Sequence, residues 1–156
     1  MLPVTGHLAN VPESDVKAMA DYLMSLQPPA ATARSTPVTP AANTKQLHAG
    51  AVLFAASCAN CHAHGAPMRD IGGRPPLGLS SVMTADRPRN AIQLILHGNP
   101  WNGSASTDYM PPFADILDDQ QVADVLAFAR VQYAQRPAWP DVAHHAAAIR
   151  KENPQP

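Results

Sequence analysis

Two cysteines and a histidine stand close enough together in this sequence to share one piece of chemistry. Cys58 and Cys61 are separated by two residues, and His62 follows directly. At this C-x-x-C-H spacing two thiols can add across the vinyl groups of a haem, while the adjacent imidazole reaches the iron. The sequence has no other cysteine, which excludes a framework of several disulfides. The motif therefore predicts a covalently attached c-type haem with His62 as its fifth ligand.

Two other uses of the cysteine pair compete with this prediction. A thioredoxin-like redox pair needs a βαβ setting, and the helical patterns around Cys58 and Cys61 do not provide one. A structural zinc site would need a fourth donor, for which His64 and His97 are the candidates. A zinc site would also leave the helical patterns unexplained. Haem attachment accounts best for the motif and its surroundings together.

The residues before the motif have helical periodicity. Small and apolar residues recur at helical spacing from Leu47 to Cys58, and Thr44 can cap the start of this run. The pattern predicts a helix whose C-terminal end carries Cys58. Farther along the chain, residues 88–97 are expected to form a short helix that Gly98 ends.

A longer helix is expected to close this domain. Asp118 and Gln121 have the spacing of a capping box, and apolar residues then recur at helical spacing as far as Tyr133. Residues 63–86 are rich in Gly and Pro, so we expect them to form a loop around the cofactor rather than a regular element. The prediction is an all-α fold with about three main helices and long loops around a covalent haem.

The regions on either side of the predicted haem domain, residues 45–135, differ from it in character. Residues 1–27 contain a predicted amphipathic helix at 12–26, which we interpret as the closing helix of a preceding domain. Residues 28–44 are rich in Pro and Ala and are expected to form a linker. Residues 136–156 form a tail that could lie over the domain or over a partner. This arrangement is typical of the end of a longer multi-domain protein.

Composition excludes some classes of protein. The formal net charge is −1, and no cluster of Lys and Arg with interleaved aromatic residues is present, so nucleic-acid binding is not expected. No apolar run in the sequence is long enough for a transmembrane segment. The N-terminus has no basic and apolar stretch of the kind found in a signal peptide.

Residues 45–135 resemble class I cytochromes c. Gly50 and Phe54 occupy the places where that family makes the contact between its first and last helices. Val125 and Phe128 occupy the contacting positions on the last helix. The resemblance implies the class I cytochrome c fold with one covalent haem c. It also implies electron transfer as the function.

A methionine segment resembles the one that supplies the sixth iron ligand in this family. Met110 is followed by proline and lies between the short helix and the closing helix. The resemblance implies that Met110 binds the iron opposite His62, with Met68 and Met83 as rival ligands. A thioether favours ferrous iron, so His/Met ligation raises the reduction potential relative to two imidazoles and leaves no axial position for a substrate.

Other side chains are expected to touch the cofactor. The Pro75-Pro76-Leu77 run resembles the family's loop whose proline carbonyl accepts the ring N–H of the ligand histidine. We assign that role to Pro75, with Pro76 as the alternative. The cofactor-binding set contains, besides Pro75 and the ligands, Phe54, Leu77, Ile92, Leu96 and Phe113. Leu79, Leu117 and Phe128 are expected to join the same apolar core.

A narrower resemblance concerns the runs ADRPRNAIQLILHG and MPPFADILDDQQVADVLAFAR. They look like the last haem domain of three-haem cytochrome subunits of periplasmic dehydrogenases, of the alcohol dehydrogenase and molybdenum hydroxylase types. The resemblance implies a dehydrogenase catalytic subunit or a preceding haem domain as electron donor. It implies a quinone or a terminal oxidase chain as acceptor, and a periplasmic location. A haem peroxidase and a haem-based sensor are the alternative functions.

Overall fold

The computed structural model describes residues 6–26, 43–68, 76–99 and 109–152. Within these ranges the regular structure is helical, and extended pairing is confined to an antiparallel bridge between Asn99 and Met110. The all-α prediction is therefore confirmed for the described residues. The chain divides into two compact units, Met1–Thr36 and Pro37–Pro156.

The first unit contains helix α1, Glu13–Ser25. Pro12 precedes it, and the carboxylates of Glu13 and Asp15 lie in its first turn, where the helix dipole favours negative charge. This agrees with the helix predicted at 12–26. No residue of α1 is buried, and its large apolar side chains are exposed: Met19, Tyr22, Leu23 and Met24.

The second unit begins with helix α2, Thr44–Ser57, followed by the one-turn helix α3, Ala59–His62. The cap of α2 is Asn43, whose side chain accepts a hydrogen bond from the Gln46 N–H. Thr44, predicted as the cap, is already helical. Asn43 keeps the extended backbone that a cap residue needs, with φ −71° and ψ 156°.

A 3-10 turn at Leu77–Leu79 and the one-turn helix α4, Ser81–Thr84, lie within the region predicted as a loop. The expectation of irregular structure is therefore wrong at these two short turns, which lie in the described part of residues 63–86. Helix α5, Arg89–His97, follows and ends at Gly98 as predicted. Gly98 has φ +70°, and a side chain there would collide with the backbone of Met110.

Helix α6, Asp119–Ala134, closes the predicted haem domain. Its capping box is confirmed, because the Asp118 side chain accepts from the Gln121 N–H and the Gln121 side chain accepts from the Asp118 N–H. Helices α2 and α6 pack against each other at Gly50, where a Cβ atom would collide with the carbonyl of Asp124. This is the helix contact that the resemblance implied.

The tail forms helix α7, Val142–Glu152, which packs on α5 and α6. Val142, Ala146 and Ile149 are buried there, together with Trp139 from the segment before the helix. The sequence had left open whether the tail covers the domain or a partner. In the structure it completes the core of the second unit.

Candidate functional site

The C-x-x-C-H motif lies at the end of α2. Cys58 follows the last helical residue, and its N–H donates to the Phe54 carbonyl at 2.8 Å. The Cys58 carbonyl in turn accepts from the N–H groups of Cys61, at 3.2 Å, and His62, at 2.9 Å. These bonds form one tight turn, so both thiols and the imidazole are carried on a few residues at one helix end.

The two thiols are half-buried and not joined in a disulfide. Burial raises the pKa of Cys58 to about 11, and the neighbouring Cys61 contributes in the same direction. A thioredoxin-type nucleophile needs a lowered thiol pKa, so these surroundings argue against that alternative. Among the described residues, no group of three or more His, Cys, Asp or Glu side chains could hold a metal ion, which leaves the zinc alternative without a donor set there.

An aromatic cluster lies beside the motif. The Phe54 ring is 5.3 Å from that of Phe128 and 5.1 Å from that of Tyr133, measured between centroids, and the His64 ring is 5.4 Å from Tyr133. Burial raises the pKa of Tyr133, with a smaller contribution from Cys58. The backbone of Gly78 lies against the Tyr133 carbonyl, where a Cβ atom would collide. The cluster therefore joins α2, α6 and the Leu77–Leu79 turn around the motif.

Met110 lies in residues 109–118, the Met110 segment, which is hydrogen-bonded to the end of α5. Its N–H donates to the Asn99 carbonyl at 3.0 Å, and its carbonyl accepts from the Asn99 N–H at 2.9 Å. Three residues later, the Phe113 N–H donates to the Ile95 carbonyl at 2.9 Å. Met110 is half-buried and packs against the hydrophobic core. The backbone that carries its thioether is therefore fixed on the same core as the motif helix.

The predicted cofactor residues fall into groups by burial. Those buried in the protein core are Phe54, Ile92 and Leu96. Those that are half-buried and pack against that core are Cys58, Leu77, Met110 and Phe113. Cys61 and His62 are half-buried as well, and Pro75 lies outside the described residues. The roles of these residues toward the cofactor stay predictions.

Three apolar side chains near the predicted site differ in exposure. Leu79 was expected in the core, but it is 79% exposed, because the 3-10 turn that buries part of Leu77 directs it outward. Of the rival methionines, Met83 is buried in the core and Met68 is exposed. The exposed Leu79 beside half-buried Leu77 is an apolar surface of the kind that a haem face can cover.

The core contains a buried charged side chain, Arg130, that the sequence patterns did not predict. Arg130 donates to the carbonyls of Met83 at 2.6 Å, Ala85 at 2.9 Å and Pro137 at 2.7 Å. Its guanidinium carbon lies 3.7 Å from the ring centroid of Trp139. The available signal was its position four residues after Leu126, on the buried face of α6, where an arginine needs partners.

The donor set and its surroundings fit a haem c. Two half-buried thiols and an imidazole occupy one turn, and a thioether lies on a separate fixed segment. Apolar side chains, among them Leu77 and Phe113, pack against the same hydrophobic core as Cys58 and Met110. These are the groups that c-type attachment and His/Met ligation require.

Comparison with known proteins supports this assignment. The family model described as cytochrome c oxidase, cbb3-type, subunit III, matches residues 45–128. One of the subunits of nicotinate dehydrogenase from Pseudomonas putida is 37% identical over 153 residues, which are 96% of this chain and 13% of that protein. The cytochrome c subunit of alcohol dehydrogenase (quinone) from Gluconacetobacter polyoxogenes is 30% identical over 138 residues, covering 80% of this chain and 28% of that subunit.

A third relative is the cbb3-type cytochrome c oxidase subunit FixP of Sinorhizobium medicae, 29% identical over 69% of this chain and 37% of that subunit. The chain thus spans only 13% to 37% of the length of these relatives. No solved structure matches the chain significantly. In the part of the chain that the structure describes, no helix is long and apolar enough to cross a membrane.

The family match covers more than half of the chain and includes the whole C-x-x-C-H turn. It confirms the resemblance to cytochromes c, the all-α fold and a covalent haem c as the cofactor. It supports electron transfer, and gives no support to a peroxidase or a sensor. The chain belongs to the cytochrome c domain family of cbb3-type cytochrome c oxidase subunit III, and it is an electron-transfer domain rather than a catalytic subunit.

Proposed function

We propose that the chain binds one haem c through Cys58 and Cys61, with His62 and Met110 as the two axial ligands. One observation carries this proposal: the motif turn and the Met110 segment are both held by backbone hydrogen bonds, and Cys58 and Met110 pack against one hydrophobic core. When bound, the haem supplies a one-electron iron couple. Filling both axial positions leaves none for a substrate, which suits a carrier of electrons.

The other residues of the predicted set have supporting roles in this proposal. Leu77 and Phe113 are half-buried beside the core and would exclude water from the haem. Phe54 holds α2 against α6 through its contact with Phe128. Ile92 and Leu96 keep the core dry behind the cofactor. The Pro75 carbonyl would accept the ring N–H of His62 and fix the orientation of the imidazole.

We further propose that the domain serves a periplasmic dehydrogenase complex. The similarity to a nicotinate dehydrogenase subunit and to the cytochrome c subunit of a quinone alcohol dehydrogenase supports this proposal. The donor would be a dehydrogenase catalytic subunit or a preceding haem domain, and the acceptor a quinone or a terminal oxidase chain. In this arrangement residues 1–27 would be the closing helix of the preceding domain, joined by the 28–44 linker.

The proposal is tested on the full chain, produced in a periplasm that has a haem attachment system. Mass spectrometry should give one haem per chain, and this haem should stay attached under denaturing conditions. The variant in which Cys58 and Cys61 are both alanine should lose it. The reduced wild-type protein should bind carbon monoxide slowly and the oxidised protein should turn over peroxide slowly. Fast binding or fast turnover would instead favour a sensor or a peroxidase.

A further inference from the structure

A side chain from the C-terminal helix α7 holds the segment that follows Met110. Arg150 donates through Nη1 to the Ala114 carbonyl at 2.6 Å and through Nη2 to the Leu117 carbonyl. Its Nε donates to a carboxylate oxygen of Asp119, at the start of α6, at 2.7 Å. One planar guanidinium thus forms hydrogen bonds to three residues between Met110 and the first turn of the closing helix.

These carbonyls depend on the guanidinium. The N–H groups of Ile116 and Leu117 both donate to the Phe113 carbonyl. Among the described residues, no backbone N–H donates to the carbonyl of Ala114 or of Leu117. Leu117 is buried, so its carbonyl has little access to water. A guanidinium forms this fork with fixed geometry, whereas a lysine ammonium cannot reproduce it. Arg150 is therefore the side chain that fixes the turn.

The Met110 segment is anchored differently at its other end. Met110 pairs with Asn99 through two backbone hydrogen bonds, and the Ala114 N–H donates to the Leu96 carbonyl at 3.2 Å. These anchors are backbone groups of α5 and its end, and they lie on both sides of Met110, so a side-chain substitution leaves them in place. Arg150 is a side-chain anchor, and it acts farther along the segment, on Ala114 and Leu117. Mutation can therefore remove this anchor alone.

We infer that Arg150 is a positioning residue for the thioether of Met110. The inference rests on the proposed function, in which Met110 is the sixth ligand. By holding the turn after the methionine, Arg150 restricts the conformations in which the segment moves away from the iron. Restricting those conformations raises the fraction of time that the thioether is in bonding position. The C-terminal helix thus sets how readily an external ligand reaches the iron.

The test uses the full chain with its haem attached and the variant Arg150→Lys, which keeps the charge and loses the fork. Carbon monoxide should bind to the reduced variant about tenfold faster than to wild type, because charge-assisted hydrogen bonds that hold the segment are lost. The weak long-wavelength band of methionine-bound ferric haem should lose intensity. Glu152→Gln, also on α7, is the matched control: it weakens the exposed ion pair with Arg89 of α5 and should leave both readouts at wild-type values.

A second control separates positioning from a general loss of stability. Ile149→Val removes one buried methyl group from the same helix and should lower the urea midpoint without changing the carbon monoxide rate. An equal acceleration in Ile149→Val and Arg150→Lys would overturn the inference, and so would a wild-type rate in Arg150→Lys. If Arg150→Lys does not fold, the test uses Asp119→Asn instead. This variant should bind carbon monoxide faster than wild type, by a smaller factor than expected for Arg150→Lys. An unchanged rate of carbon monoxide binding would overturn the inference.

Failure of this inference is distinguishable from failure of the proposed function. Met110→Ala should bind carbon monoxide fast if Met110 is the ligand. Fast binding in Met110→Ala with a wild-type rate in Arg150→Lys leaves the proposed ligand in place and refutes the role of Arg150. A wild-type rate in Met110→Ala refutes the ligand, and the inference about Arg150 fails with it.

Discussion

Arg130 is a charged side chain that is only 7% exposed. A buried charge is costly unless hydrogen bonds and favourable contacts replace its hydration. Here three carbonyls accept from the guanidinium and Trp139 covers it, while the Trp139 ring N–H donates to Ala85 at 3.0 Å. The residue therefore joins α6, the segment after α4 and the start of the tail through one group.

Replacing Arg130 by methionine tests this role. The substitution keeps much of the volume but removes the donor to the carbonyls of Met83 and Pro137, while the Ala85 carbonyl keeps its hydrogen bond from Trp139. The free energy of unfolding should fall by about 2–4 kcal/mol, the range expected for buried groups that lose charge-assisted partners. Urea unfolding of the haem-containing protein measures it. Exposed Arg136→Ala should change stability by less than about 0.5 kcal/mol, and a similarly small effect for Arg130→Met would contradict the assigned role.

The packing of α2 against α6 depends on the absence of a side chain at one position. At Gly50 a Cβ atom would collide with the Asp124 carbonyl and crowd the Cβ of Phe128. Phe54, one turn later, then packs its ring on Phe128. Because the nearest obstacle is backbone, a larger residue at position 50 must push the two helices apart.

Gly50→Ala should therefore destabilise the domain even though alanine favours helices. Overpacking at such a contact costs about 3 kcal/mol, near the upper end of its usual range. That exceeds the roughly 1 kcal/mol that alanine gains over glycine inside a helix. The expected result is a clearly lower urea midpoint, with exposed Ala55→Ser as a near-neutral control on the same helix. A midpoint at or above that of wild type would mean that the helices do not pack this closely.

Elements whose signals are local could be predicted from the sequence, and those built on distant contacts could not. The capping box of Asp118 and Gln121 and the stop at Gly98 each lie within one turn of chain, so the pattern determines them. The cap at Asn43 was placed one residue late, because neighbouring Thr44 has similar capping chemistry. The partners of Arg130 lie up to 47 positions away, which no local pattern reveals.

In the candidate site, too, local features could be predicted from the sequence and long-range contacts could not. The C-x-x-C-H spacing is a local signal that carries its own chemistry, so the sequence alone identified it. The hydrogen bonds that fix the Met110 segment, including those from Arg150, depend on how α5, α6 and α7 pack. The exposure of Leu79 likewise depends on which side of a 3-10 turn faces the core, and periodicity does not determine that for so short an element.

The whole molecule consists of two units with different amounts of core. The second unit has a continuous hydrophobic core, and α7 extends it well beyond residue 135, the predicted end of the haem domain. In the first unit, α1 buries none of its residues. An isolated helix of this length is marginally stable in water unless its apolar face is covered.

Hydrogen exchange followed by mass spectrometry should reflect this difference. Backbone amides of α1 should exchange fast in the purified chain, because isolated helical hydrogen bonds open without cooperative unfolding. Amides in the centres of α2 and α6 should exchange orders of magnitude more slowly, since their opening requires the core to be disrupted. Protection of α1 equal to that of α6 would show that its apolar face is covered in the purified protein.

The central claim is that Met110 and His62 are the axial ligands of one covalent haem. Absorption spectroscopy of the oxidised protein tests it most directly, by comparing wild type with Met110→Ala. Wild type should show the weak long-wavelength band of methionine-bound ferric haem. Met110→Ala should keep the covalent haem, because Cys58 and Cys61 are untouched, and it should lose the band. Retention of the band in Met110→Ala would contradict the claim and would indicate that Met68 or Met83 is the sixth iron ligand.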